Sequence, residues 1–191
     1  MAFHRISIKY FLSDTATLDL AKIIGIFHKW IQQKTVGGLP IDVADYRHVP
    51  EGPGVMLIGH DFDYSVDLAD GRAGLCYLCK RTTGSDDAEL LRTTMRGALF
   101  GCRLLEDELN RDVTFRTDEA RLVIPDRLRA PNRKSTLDGV RGSIIAALGP
   151  IYSPAPVRVE RVDGDERQPL TLTITAEGAT DLDKLLGRLS L

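Results

Sequence analysis

Cysteine is scarce in this chain and odd in number, three in 191 residues. A disulfide framework needs even numbers at regular spacing, so stability is expected from a packed core instead. Long apolar runs are missing too. No stretch approaches the roughly 18 apolar residues that span a bilayer. The opening MAFHRISIKYFLSD is too short and too interrupted to be the apolar part of a signal peptide. Together these absences predict a cytoplasmic protein with no membrane partner. Charge of one sign is lacking as well: 25 basic against 27 acidic residues leave a net charge of -2. That balance, with no aromatics interleaved among the basic residues, predicts no nucleic-acid partner. There is no Gly-x-Ser-x-Gly elbow, no Gly-Lys-Ser/Thr phosphate loop and no low-complexity linker.

What is present is an ordinary globular composition, 43% hydrophobic and 27% charged. A chain of this size buries about two-thirds of its unfolded surface, so a metal staple is not required. Residues 3–12 alternate as a strand, with Ile6, Ile8 and Tyr10 on one face and Arg5, Ser7 and Lys9 on the other. Asp14 is a suitable cap for a helix to about Lys34, striped by Leu20, Ile23, Ile24, Phe27, Trp30 and Ile31 and closed by Gly37-Gly38. Strands follow at 41–46 and 54–60. Asp70-Gly71 then reads as a two-residue type I′ turn. Its register puts Phe62, Tyr64, Val66 and Leu68 on one face with Ala73, Leu75, Tyr77 and Cys79. Asp61, Asp63, Ser65 and Asp67 go to the other, where Asp61 meets Lys80.

Ser85 is expected to cap a second helix to about Leu109, in which Gly97 and Gly101 admit close packing. In VTFRTDEARLVIPDR the apolar parity changes, which predicts a bulge or a strand junction near Thr117–Ala120. A helix at about 135–149 ending before Pro150, strands at 157–163 and 169–176, and a helix at about 179–189 complete the order. The fold class is therefore α+β, a largely antiparallel sheet with helices packed on it. The whole chain, 1–191, is expected as one domain, built as two fused ferredoxin-like (split βαβ) halves with a seam near residue 118.

The densest chemistry lies in IDVADYRHVPEGPGVMLIGHDFDY, residues 41–64. As general acid or base the candidates are His60 and His48, oriented by Asp45 or Asp63, with Tyr46 and Tyr64 nearby. A metal would draw on His60, Asp61 and Asp63. The strand parity opposes convergence, however, and gives the acids a solvated strand face. Cys76 and Cys79 have dithiol spacing but sit within a strand, which sends their sulfurs to opposite faces. In DRLRAPNRK, Arg127, Arg129 and Arg133 precede a helix and form a candidate anion-binding loop.

The segments FHKWIQ, DVADYRHV, GPGVMLIGH, FRTDEA and PDRLRAPN resemble, as a set, a family of soluble bacterial proteins with no assigned activity. The resemblance implies a bacterial, soluble protein and carries over no catalytic residue. With no complete catalytic constellation, the expected function is non-enzymatic: a small-ligand-binding or partner-binding protein, without cofactor, forming a homodimer through an exposed sheet edge. The alternative is a hydrolase or lyase of small substrates using His48 or His60 with Asp45, Asp61 or Asp63, with or without a metal.

Overall fold

The structure, a computed structural model, describes residues 3–13, 18–81, 86–178 and 181–189, with Asp70 described by its backbone. The chain runs β1 (Ile6–Leu12), α1 (Leu20–Gln33), β2 (Pro40–Tyr46), β3 (Gly54–Gly59), β4 (Phe62–Asp67) and β5 (Gly74–Cys79). It continues with α2 (Asp87–Glu108), β6 (Phe115–Ile124), α3 (Lys134–Tyr152), β7 (Val157–Arg161), β8 (Leu170–Ala176) and α4 (Leu182–Leu189). All eight strands form one antiparallel sheet in the order β2-β3-β4-β5-β1-β6-β8-β7. The α+β class is therefore as expected. Around the central β1–β6 pair, each half places a strand, a helix and a meander that returns to the first strand. The two sides are unequal, five strands (β2-β3-β4-β5-β1) against three (β6-β8-β7), so their strand orders do not repeat one another.

Sequence periodicity explains most of these elements. Ile6, Ile8 and Tyr10 of β1 are buried in the main apolar cluster with Tyr64, Leu75, Ala120, Leu122 and Ile174 from neighbouring strands. All four helices pack on this face. The close approach of α2 is made possible by its glycines. A Cβ on Gly101 would stand 2.4 Å from the Tyr64 ring, and one on Gly97 2.5 Å from the Tyr77 ring. Trp30 and Phe27 of α1 are fully buried beside them, Trp30 and Tyr64 meeting at 75° with centroids 5.8 Å apart.

Several boundaries differ from expectation. Asp14 and Ser85 lie outside the described residues; the side chains that cap α1 and α2 are Asp19 and Asp86, accepting from Ala21 N and Ala88 N. Helix α1 stops at Lys34, whose left-handed backbone (φ 52°) ends it ahead of the glycine pair. Helix α3 runs through Pro150 to Tyr152. A proline so near the C-terminus removes one hydrogen bond, and burial of Ile151 and Tyr152 outweighs that loss. The β4–β5 register is the expected one, Phe62 opposite Cys79 and Asp67 opposite Gly74. Its turn is not type I′. Ala69–Gly71 form a 3-10 turn in which only Gly71 of the central pair has positive φ (65°). Asp67 holds it, accepting from Ala69 N at 2.8 Å. The parity change in β6 is a bulge and not a junction: the strand is continuous, and its pairing with β1 shifts between Tyr10↔Ala120 and Leu12↔Phe115.

Candidate functional site

The acidic, histidine-rich stretch separates into two places. Asp45, Tyr46, Arg47 and His48 sit at the far tip of the β2–β3 hairpin. There Arg47 clamps Asp45 through Nε and a terminal nitrogen at 2.7–3.0 Å, and the Tyr46 and His48 rings stack at 6.5 Å. The clamp holds the Asp45 carboxyl well down, at about 2, through hydrogen bonds from Arg47. His60 and Asp61 form the β3–β4 turn at the other end of β3. The six residues of β3 separate the two histidines by roughly 20 Å at about 3.3 Å per residue. A reaction combining His48 with Asp61 or Asp63, or His60 with Asp45, therefore has no common centre.

At the β3–β4 turn, His60 Nε2 lies 3.7 Å from an Asp61 oxygen and 3.0 Å from Arg81. Asp63 is engaged elsewhere. It is only 9% exposed, pairs with Lys80 at 2.8 Å and accepts from Gly59 N. The solvated setting expected for the acids holds for Asp42, Asp45 and Asp61, which are exposed, and is corrected for Asp63. Lys80 reaches Asp63 in place of Asp61, because its Nζ also donates to Gly59 O at 2.6 Å, on the Asp63 side of the turn. Among the described residues, no group of three His, Cys, Asp or Glu side chains converges as a metal set.

The three arginines of the 126–134 loop point to separate partners: Arg127 donates to Arg167 O, Arg129 meets His4 and Asp126, and Arg133 pairs with Glu166. Cys76 and Cys79 lie on opposite faces, as their spacing implies, and both are free thiols. Burial pushes the Cys76 thiol up to about 11. It also raises Cys79, so neither offers a ready thiolate.

The feature that sequence reasoning missed is a groove on the helix-covered side, where β4, β5 and α2 meet the Val36–Gly38 loop and α4. Its volume is about 510 Å³. Phe62, Tyr64, Tyr77 and Phe100 supply an aromatic wall, and Arg81, Arg96, Asp61 and Thr93 supply polar groups. Phe62 and Tyr77 stack at 5.7 Å and 13°, and Tyr64 meets Tyr77 nearly edge-on at 4.9 Å. Tyr64 itself donates to Gly97 O at 2.8 Å, which fixes the wall against α2. Burial raises the Tyr64 and Tyr77 hydroxyls well above their ordinary range, so both are neutral near pH 7. Of the sequence candidates, Tyr64, Asp61 and, through Arg81, His60 belong to this groove; His48 and Asp45 do not. Two signals pointed toward it: the Gly97–Gly101 spacing, and a register that sets Tyr64 opposite Tyr77.

Comparison with known proteins returns no matching family model, no matching curated protein and no matching solved structure. No described helix is long and apolar enough to cross a membrane.

Proposed function

We propose that this is a non-enzymatic binding protein whose small-molecule ligand occupies the groove between β4, β5 and α2. The observation that carries the reading is the aromatic wall of Phe62, Tyr77 and Phe100 around about 510 Å³ of space. Ligand sites are concave, mostly apolar and roughly 300–1,000 Å³, with few convergent polar groups. Tyr64 and Cys79, buried, and Tyr77, partly buried, are all held in the protonated form by desolvation, which suits binding and makes none of the three a base or nucleophile. Free thiols at Cys76, Cys79 and Cys102 favour a reducing, cytoplasmic setting for this role. Self-association through β2 belongs to the same proposal, supported by the exposure of Leu39, Ile41, Tyr46 and Val49 along and beside that edge strand. Sedimentation as a monomer at high concentration would remove that part.

The binding reading is tested by thermal melting against a panel of aromatic and aliphatic compounds. A ligand at 100 times its Kd adds about 2.7 kcal/mol, which in a chain of this size raises Tm by roughly 5–10 °C. Thr93→Trp, which fills the groove from the exposed side of α2, is expected to abolish the shift while the unliganded Tm stays close to wild type. Shifts absent across the panel, or retained in Thr93→Trp, count against the groove.

A further inference from the structure

We infer that the ligand of this groove is an organic anion, an apolar or aromatic body with one carboxylate-like group that Arg81 and Arg96 receive. The inference rests on the binding reading just given. The groove has two chemically distinct parts. Phe62, Tyr77 and Phe100 offer ring surface; Arg81 and Arg96 stand among the groove-lining residues on separate elements, the segment after β5 and α2. A guanidinium carries five donors in a planar fork matched to carboxylate geometry.

Each arginine is oriented by the chain. Arg81 meets His60 Nε2 at 3.0 Å, and Arg96 donates to the Leu189 carbonyl at the end of α4. Neither contact is to a carboxylate, so neither neutralises the guanidinium. Several arginines elsewhere in the fold, Arg47 on Asp45, Arg72 on Glu119, Arg103 on Asp107 and Asp183, and Arg133 on Glu166, spend their charge on carboxylates instead. One acid, Asp61, also lines the groove, and it lies 3.7 Å from the His60 ring. The formal balance of the lining remains positive, two guanidiniums against one carboxylate. An apolar wall beside a cationic rim selects an anion with an apolar body over a neutral or cationic counterpart.

The experiment uses three matched probes, 2-naphthylacetate, 2-(2-naphthyl)ethanol and 2-(2-naphthyl)ethylamine, titrated calorimetrically into the full chain. The carboxylate is expected to bind at least tenfold more tightly than the alcohol, and the amine least tightly. Arg81→Gln and Arg96→Gln should each weaken the carboxylate five- to tenfold and leave the alcohol within twofold. Arg96→Lys, which keeps the charge, should recover part of the loss, and melting curves confirm that each variant is folded. If the alcohol or amine binds as tightly as the carboxylate, or the Gln variants leave carboxylate affinity unchanged, the anion inference falls while the groove stands. If none of the three probes binds the folded wild type, both fall.

Discussion

The two faces of the sheet bury side chains by different means. On the helix-covered face, Ile8, Tyr10, Tyr64, Leu75 and Leu122 are enclosed by α1–α4, and the buried phenols find partners, Tyr10 with Tyr152 at 3.2 Å and Tyr64 with Gly97 O, while Trp30 Nε1 has none. The other face carries no packed helix among the described residues, yet Lys9 is only 5% exposed and Phe11 1%. There, long neighbouring side chains do the covering. Arg72 lies 3.7 Å over the Phe11 ring and makes two hydrogen bonds to Glu119, while Lys9 pairs with Asp67 at 2.9 Å. Apolar helices exclude unpaired charge; a lattice of strand side chains tolerates charge when each ion has a counterion and a hydrogen bond. The groove lies on the covered face, the side with aromatic surface and concavity.

Substitutions can break or sharpen this contrast. The largest effect is expected at Trp30, fully buried on the covered face: Trp30→Ala should cost about 4 kcal/mol in denaturant unfolding. Trp30→Phe should cost about 1 kcal/mol, because Nε1 has no hydrogen-bond partner to lose and only ring volume is removed. On the bare face, Lys9→Met should cost about 2 kcal/mol by leaving Asp67 without its counterion. The double variant Lys9→Met/Asp67→Asn should regain part of that; a double loss equal to the sum of the singles would show that the pair does not act as a unit. Thiol labelling reads the two faces directly. Partly buried Cys76 should react before the buried Cys79 and Cys102, yet slowly at pH 8, since burial pushes its thiol up to about 11.

The smallest effect concerns the exposed tip. Asp45 titrates at about 2 in the folded chain, below its unfolded value of about 3.9. The stabilisation it contributes is therefore complete above about pH 4 and is lost as pH falls toward 2. Carboxyl NMR titration should place the midpoint near 2 in wild type and move it upward in Arg47→Gln.

Much of this fold was legible because side-chain alternation and turn position determine strand register. Asp70-Gly71 marks the right register even though the turn is not the expected type, since a two-residue reversal at that place sets Tyr64 against Tyr77 whatever its dihedral angles. Parity alone also separated Cys76 from Cys79. It failed for Asp63 and Asp67, because alternation says which face a carboxylate takes and nothing of what else lies there; Lys80 and Lys9 pair with them on a face expected to be wet. The crowding of titratable residues in 41–64 was misleading for a related reason. Residues that flank a strand go to its opposite ends, as His48 and His60 do on either side of β3. The groove was hidden because its parts come from five separate segments, and only the glycines of α2 and the two tyrosines hinted at their meeting.

The account is tested most directly by amide chemical shifts in a ¹H–¹⁵N spectrum during titration with 2-naphthylacetate. It predicts changes clustered at Gly38, Phe62, Tyr77, Arg81, Gly97 and Phe100. Changes confined to the Arg127–Arg133 loop or to the His48 tip, with that cluster silent, would contradict it.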